Sequence, residues 1–195
     1  MNTNKFDNFS TEYSLKRNQV NIFYPIDRTL AELVIAQIQY LDDQGVDEIT
    51  VQINSPGGSV PDGMAIYDTL NHSKARIVTV GVGMCASMAA FLLSAGSKGY
   101  RRATENCEIL IHQPLGDASG QASDIIIAAD HIRRTRDNLN RILAENTGKS
   151  IETIARDTDR DNIMTAKEAM EYGLIDTVIK GKNKAKGEMN HDDHQ

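Results

Sequence analysis

The sequence is poor in cysteine, in basic charge and in long apolar runs, and each shortage excludes a class of protein. Cys85 and Cys107 are too few for a disulfide framework or a cysteine-rich metal cluster, and they fit a reducing compartment. A formal net charge of -6 leaves no basic stripe to neutralise the phosphates of a nucleic acid. The longest apolar run, about 81–96, is interrupted by glycine and too short to span a bilayer, so we expect a buried helix there.

Signals of targeting and of cofactor binding are also missing. Residues 1–9 lack the apolar stretch of a signal peptide, which together with the cysteine usage predicts a cytoplasmic protein. There is no Walker loop and no paired histidine or cysteine spacing, so we expect neither a metal nor another cofactor. Any dependence on ATP must therefore come from a partner protein.

Length and composition predict one folded domain between two polar ends. A chain of 195 residues with 40% hydrophobic residues is long enough to bury a substantial core. Residues 1–17 are polar, and we expect them to be ordered only by partners. Residues 180–195 form a charged, glycine-containing tail that we expect to be disordered. The folded domain is therefore expected over 18–179.

Between these ends, strand-like and helix-like patterns alternate, which predicts an α/β fold with crossover connections. The helix expected over about 125–143 is long and amphipathic. Its pattern fits either a protrusion that makes an oligomer contact or simple packing on the sheet. Predicted strands cover 20–24, 48–53, 77–80 and 108–111, and the other predicted helices lie around 30–41, around 62–71 and directly after Ser87.

Ser87 and His112 each lie where an apolar run meets small or turn-forming residues, which places a polar side chain at the edge of a core. A serine that opens a helix is a candidate nucleophile, and a histidine that closes a strand is its natural base. The other histidines are less well placed, since two fall on helices (His72 and His131) and two in the tail. Taken alone, Ser87 also fits the role of a helix N-cap. His112 also fits that of a polar side chain whose hydrogen bonds are satisfied.

A histidine base needs a carboxylate that orients its ring and stabilises its charged form. The candidates are Asp157, Asp159 and Asp161, which share one short polar segment. Spacing does not choose among them, because each also fits a solvated residue at a helix end. The residues alone therefore predict a Ser–His–Asp site but do not identify which aspartate belongs to it.

Several segments, read together, strengthen the case that Ser87 and His112 are catalytic. The segments are 53–59, 65–69, 83–90, 109–114, 120–125, 156–161 and 169–176. In this order they closely resemble the proteolytic subunit of the Clp protease, the ClpP family of serine peptidases. The resemblance extends from about residue 34 to residue 178.

The resemblance implies a spiral of βαβ units, as in the crotonase-like superfamily, with a protruding long helix. It selects Asp161, in its Arg-Asp-Asn-Ile-Met context, as the acid beside Ser87 and His112. It also implies an oxyanion hole made by the backbone N–H groups of Gly58 and Met88. Glycine allows a substrate carbonyl to approach closely, and Met88 opens a helix whose N–H groups are free. The Gly-Gly pair also fits an ordinary turn.

The resemblance further implies assembly. Family members form heptameric rings stacked in pairs, a tetradecamer that encloses a proteolytic chamber and works with an AAA+ Clp unfoldase. Residues 113–123 would supply the substrate-side strand and the contact between rings. Asp159 and Arg160 match the pair that links assembly to alignment of the triad, although alone they also fit a weak surface ion pair.

The chain departs from the family pattern at three places. Before about residue 20 it is dissimilar, and the axial hairpin that lines the entry pore is not recognisable. Asp117 stands where a second glycine is expected after Gly116. The strands expected to form the unfoldase-docking pocket carry polar residues where the family has aromatic and apolar ones. These atypical docking positions are Thr50, Gln52, Arg102 and Thr104.

The leading hypothesis from the sequence is a cytoplasmic serine endopeptidase that acts on unfolded polypeptides inside a ring chamber. A second hypothesis is a mainly structural or regulatory ring subunit paired with an active paralogous ring, which the polar docking positions favour. A third is a crotonase-type acyl-CoA enzyme, which shares the fold and the oxyanion hole. Such an enzyme does not need a Ser–His–Asp set, so the sequence favours it least.

Overall fold

The computed structural model describes residues 10–181, in which helices cover a mostly parallel seven-stranded sheet. The strands are β1 (Gln19–Ile22), β2 (Glu48–Ser55), β3 (Arg76–Ala86), β4 (Arg101–Thr104), β5 (Glu108–Ile111), β6 (Asn162–Thr165) and β7 (Thr177–Ile179). The helices after β1 are α1 (Arg28–Asp43), α2 (Val60–His72), α3 (Met88–Ser94), α4 (Ala122–Thr147), α5 (Ile151–Asp157) and α6 (Ala166–Tyr172). The α/β class predicted from the alternating pattern is confirmed.

The long strand β3 organises the sheet, because it pairs with two different neighbours along its length. Its residues 79–81 pair with β4, and its residues 84–86 pair with β5. The main sheet has the order β1-β2-β3-β4-β7, and β5 branches from β3 and pairs in turn with β6. All of these pairs are parallel except β5 with β6. This branched, mostly parallel sheet agrees with the fold that the resemblance implies.

The core lies where the apolar face of the sheet meets the helices. Alternate residues of β2 are buried, which is the period-two pattern expected of a strand with one face in a core. Helix α1 begins at an Asp27 cap, whose carboxylate accepts a hydrogen bond from the Leu30 N–H at 2.8 Å. Each fully buried isoleucine or leucine of this core stabilises the fold by about 1.5–3 kcal/mol.

The buried helix expected over 81–96 is found only in part. β3 continues to Ala86, and the helix begins at Met88; all seven residues of α3 are buried. A short apolar run does not distinguish a buried strand from a buried helix by its pattern. Gly81 lies in the strand and packs tightly there, since a Cβ would lie 3.1 Å from the sulfurs of both Cys85 and Cys107.

The two cysteines meet in the core under the end of β3. Both are buried, and their Sγ atoms lie 4.0 Å apart as free thiols. Contact with Cys107 and burial together raise the pKa of the Cys85 thiol. Cys85 therefore packs as a neutral thiol, as expected of a small hydrophobic residue.

Helix α4 is 26 residues long, and only its C-terminal half is buried in this chain. Leu139, Ile142 and Leu143 pack into the core, whereas the residues near its start, including Ile126 and Ile127, are largely exposed. The protruding long helix predicted from the resemblance is therefore present.

The described part of the predicted polar N-terminal segment is helical over residues 10–15. Ser14 is buried there, and its Oγ accepts a hydrogen bond from Asn21 Nδ2 at 2.8 Å. Beyond residue 181, the predicted C-terminal tail lies outside the described residues. No helix within residues 10–181 is long and apolar enough to cross a membrane.

Candidate active site

The sheet brings Ser87 and His112 to one edge. β3 and β5 are parallel neighbours, and each ends directly before one of these residues. Since the carboxyl ends of parallel strands meet at the same edge of a sheet, the two side chains are adjacent. The Ser87 N–H also donates to the Leu110 carbonyl at 2.8 Å, which ties the serine to β5.

Ser87 has an uncommon backbone conformation for a residue with a side chain, with φ 56° and ψ −122°. Such conformations cost free energy and are often found at functional sites. Here the sharp turn joins β3 to α3, which resembles the strand–turn–helix geometry that exposes a nucleophilic serine. Gly57 packs against this turn so closely that a Cβ there would lie 2.8 Å from the Ser87 Cβ.

The antiparallel pairing of β5 and β6 brings His112 opposite Asp161. The last pair in the ladder is Ile111 with Asn162, so one further step along the same register places His112 beside Asp161. Neither residue belongs to a strand, and their side chains meet just beyond the end of the ladder.

The three side chains form a hydrogen-bonded row. Ser87 Oγ lies 2.8 Å from His112 Nε2, and His112 Nδ1 lies 2.9 Å from Asp161 Oδ1. In the tautomer with a proton on Nδ1, the imidazole donates to the carboxylate and its Nε2 accepts from the serine hydroxyl. The His112 side chain is 19% exposed and that of Asp161 is 67% exposed. The row can accept the hydroxyl proton and stabilise the resulting positive charge on the ring.

The other two carboxylates of the polar segment have different partners. Asp157 accepts hydrogen bonds from Arg156 and from the Tyr172 hydroxyl, and these bonds lower its pKa. Asp159 lies 3.7 Å from Arg160, and its Oδ1 lies 3.5 Å from Gln113 Nε2. Of the three candidate acids, the structure brings only Asp161 to the imidazole.

Gly58 and Met88 both lie close to Ser87. Gly57, the neighbour of Gly58, approaches the Met88 amide so closely that its Cβ would be 2.9 Å from that nitrogen. At Gly58 a Cβ would lie 2.2 Å from the Ile26 carbonyl oxygen, so only glycine fits there. Among the described residues, neither of these two backbone N–H groups has a hydrogen-bond partner. Both are therefore available to an oxygen bound next to Ser87.

A cleft of about 650 Å³ opens at Ser87 and His112. The α4 residues His131, Ile132 and Thr135 line it, although sequence reasoning assigned no role to them. Only the fold brings α4 over the serine, so no local signal in the sequence marked these residues. The apolar part of the wall includes Pro56, Val60, Met64, Leu115, Ile132 and Leu139.

The assembly-linked residues directly precede Asp161, whereas the docking positions lie on strands of the main sheet. The side chains of Asp159 and Arg160 are 66% and 92% exposed in this chain. Thr50 and Gln52 lie on β2 and share one face of the sheet with Arg102 and Thr104 of β4. This face is polar. Gln52 accepts a hydrogen bond from Gln19 at 2.8 Å, and Arg102 lies over the ring of Tyr100.

Within residues 10–181, no cluster of three or more histidine, cysteine, aspartate or glutamate side chains could hold a metal ion. The arrangement that the fold does present, a hydroxyl, an imidazole and a carboxylate in series, is that of serine hydrolases. The sequence model of the Clp protease family matches residues 4–182 of the 195-residue chain. The chain therefore belongs to the Clp protease family and is a ClpP-like peptidase. Members of this family generally form rings and work with Clp ATPases.

Proposed function

We propose that this chain is a serine endopeptidase, the proteolytic subunit of an ATP-dependent Clp-type protease. The observation that carries the proposal is the hydrogen-bonded row of Ser87, His112 and Asp161, with separations of 2.8 and 2.9 Å. Membership of a peptidase family favours peptide bonds over acyl-CoA thioesters as substrates. No cofactor is needed for this chemistry.

In the proposed reaction, Ser87 Oγ attacks the carbonyl carbon of the scissile peptide while its proton passes to His112 Nε2. Asp161 accepts the Nδ1–H hydrogen bond and stabilises the imidazolium. The negative oxygen of the tetrahedral intermediate accepts hydrogen bonds from the Gly58 and Met88 amides. His112 then gives the proton to the leaving amine, and water releases the acyl group from Ser87 by the same steps.

The cleft fits an extended chain with apolar side chains. It is open to solvent, its wall is mostly apolar, and it runs past Ser87 between the Pro56–Pro61 turn and α4. Folded proteins do not present such a segment, so the proposed substrates are unfolded polypeptides. Delivery of unfolded chains requires energy, which an AAA+ Clp unfoldase would supply from ATP.

We further propose that the chain works as a double heptameric ring with the site facing an inner chamber. The exposed apolar residues near the start of α4 support self-association, because burying them in a contact between subunits is favourable. Leu115 lies close in sequence to this helix and is 86% exposed. Both features lie in or next to the segment expected to form the contact between rings.

The test is labelling by a fluorophosphonate probe, combined with the native mass of the assembly. The probe phosphonylates an activated serine, so we expect one label per subunit on the wild-type chain and none on Ser87→Ala. A conservative control is Ser59→Ala, which changes a serine in the same cleft. Labelling that persists in Ser87→Ala would refute the assignment of the nucleophile.

A second candidate function is a mainly structural or regulatory ring subunit that depends on an active paralogous ring. The observation that favours it is the polar face at Thr50, Gln52, Arg102 and Thr104, which differs from an apolar docking pocket. If the assembled chain takes no label although the Ser87–His112 pair is intact, this candidate replaces the first.

A further inference from the structure

The carboxylate of Asp161 has little support of its own. Its side chain is 67% exposed, and within residues 10–181 its one hydrogen-bond partner is His112. A carboxylate held only by the group that it must orient cannot fix the direction of the imidazole. Its position must therefore come from the backbone that leads into it.

Gln113 holds that backbone at two points. Its N–H donates to the Thr158 carbonyl at 2.6 Å, and its side-chain Nε2 donates to the Asp159 carbonyl at 2.9 Å. The same Nε2 lies 3.5 Å from Asp159 Oδ1. These bonds continue to hold the two segments together beyond the β5–β6 ladder, which ends at Ile111. One residue next to His112 thus fixes the segment next to Asp161.

The far side of the clamped segment is anchored in the core. Thr158 is buried, and its hydroxyl donates to the Ile154 carbonyl at 2.8 Å. The same hydroxyl lies 3.3 Å from Oδ1 of Asn140, a buried residue of α4. The carbonyl that receives the Gln113 N–H is therefore fixed by α4 and α5. By contrast, the Asp159 carbonyl depends on the Gln113 side chain.

We propose that Gln113 is a positioning residue of this site, whose side-chain amide fixes the backbone before Asp161 and so holds that carboxylate on His112. The inference rests on the proposed Ser–His–Asp mechanism. A displacement of about 1 Å at a catalytic group can lower the rate by about 100-fold. The hydrogen bonds of the side chain go to Asp159 and none goes to Ser87, so its effect on the reaction passes through Asp161.

The test uses Gln113→Leu in the full chain. Leucine is close in size and keeps the backbone N–H, but it has no side-chain donor. We expect kcat to fall by about 10- to 100-fold with little change in KM, and the rate of fluorophosphonate labelling to fall by a similar factor. The matched control is Gln39→Leu on α1, an exposed glutamine far from the site in sequence, which should leave both rates unchanged.

A double-mutant cycle separates positioning from a general structural role. If Gln113 acts through Asp161, Gln113→Leu should slow the Asp161→Ala variant no further. If the residue merely stabilised the loop, its substitution would lower the rate by the same factor in the wild type and in Asp161→Ala. That additive result would overturn the proposal. Wild-type rates in the single Gln113→Leu variant would overturn it as well, while labelling of Ser87 would leave the proposed function standing.

One measurement does not depend on turnover. The downfield proton resonance of the imidazole Nδ1–H reports the hydrogen bond to Asp161 and is assigned by its loss in His112→Ala. We expect it to broaden in Gln113→Leu through exchange with water and to stay unchanged in Gln39→Leu. An unchanged resonance in Gln113→Leu overturns the inference even if the chain proves to be no peptidase.

Discussion

A serine hydroxyl is a weak nucleophile at neutral pH, and the proposed site divides its activation among three side chains. Ser87 is presented by a strained turn, His112 closes β5, and Asp161 precedes β6. The strain at Ser87 also orients the first amides of α3, so the conformation that exposes the hydroxyl leaves the Met88 N–H free. Nucleophile and oxyanion donor are thus products of the same turn.

Replacing Asp161 by asparagine should slow peptide hydrolysis severely without unfolding the chain. The asparagine amide keeps the size of the carboxylate but favours the wrong imidazole tautomer and does not stabilise the charged ring. A comparable change in another serine peptidase lowers kcat by about 10⁴-fold, so a loss of that order is expected here. His112→Ala should be affected as strongly.

The rate of hydrolysis of a short fluorogenic peptide checks this prediction. Asp157→Asn is the control, because Asp157 is bonded to Arg156 and Tyr172 instead of the imidazole. Near-normal turnover in Asp161→Asn would transfer the orienting role to Asp157 or Asp159.

Sequence reasoning could find two members of this row but not the third. Ser87 and His112 are marked locally, since each follows an apolar strand pattern. Asp161 has no such local mark. The register of β5 on β6 decides which of the three aspartates meets His112, and a pairing between distant strands cannot be read from the local sequence. Only the family resemblance selected it. Gln113 was marked only by its place after His112, and its bonds depend on that same register.

The agreement between predicted and observed secondary-structure elements differs from one element to the next. The strand over 108–111 and the helix over about 125–143 match β5 and α4 closely. β3 was predicted over 77–80 and extends to Ala86, because glycines interrupt its β-branched pattern. Sequence patterns did not delimit β6 and β7, which have four and three residues and lack the Ile-Leu-Ile run of β5.

The ion pair of Arg101 with Asp176 ties β4 to the turn between α6 and β7. Their side chains are 4% and 18% exposed, and two hydrogen bonds of 2.5 and 2.9 Å join them. Asp176→Asn would leave the buried guanidinium without its charge partner, so the free energy of unfolding should fall by about 3–5 kcal/mol. Glu48→Gln, which breaks the exposed pair with Arg76, should cost at most about 1 kcal/mol.

The same pair should make stability sensitive to acid. Burial alone would raise the pKa of Asp176, but hydrogen bonds from Arg101 and from the backbone lower it overall. Its stabilising contribution is thus complete above the ordinary carboxyl pKa of about 4 and is lost as the pH falls through the lower folded value. In urea titrations, the difference between wild type and Asp176→Asn should shrink below about pH 4. A difference independent of pH in this range would contradict the assignment.

Activity of the whole assembly should depend on contacts beside the acid. Asp159 and Arg160 are exposed in the single chain and directly precede Asp161, so a neighbouring subunit that engages them would also fix the segment clamped by Gln113. Arg160→Ala should therefore give smaller particles with little peptidase activity. Sedimentation velocity and peptide hydrolysis check this together, with exposed Lys167→Ala as the control. A fully active single ring would contradict the coupling.

The polar sheet face should weaken binding of a conventional Clp unfoldase. Apolar loops of such a partner gain on the order of 1.5–3 kcal/mol for each large side chain they bury. Thr50, Gln52, Arg102 and Thr104 offer polar atoms and one charge instead, and burying these without partners has a cost of similar size. Because the same contact repeats at each subunit of a ring, the loss of binding free energy is multiplied. The homo-oligomer should thus bind weakly, and depend on a paralogous ring or a specialised unfoldase.

Degradation of a folded protein substrate with ATP and the unfoldase tests this, comparing the wild type with Thr50→Tyr plus Gln52→Tyr. The doubly substituted chain should degrade the substrate faster, while peptide hydrolysis stays the same. Robust degradation by the unmodified homo-oligomer, with tight unfoldase binding, would show that these positions do not control docking.

The sequence contains two thiols, and both are buried: Cys85 lies in β3, two residues before Ser87, and Cys107 contacts it. A thiol reagent reaches their sulfurs only while this part of the sheet is open. The rate of modification under native conditions therefore equals the reactivity of an exposed thiol multiplied by the fraction of time spent open. The modification rate of the two native thiols thus measures how often β3 opens, and the measurement needs no added label and no substitution.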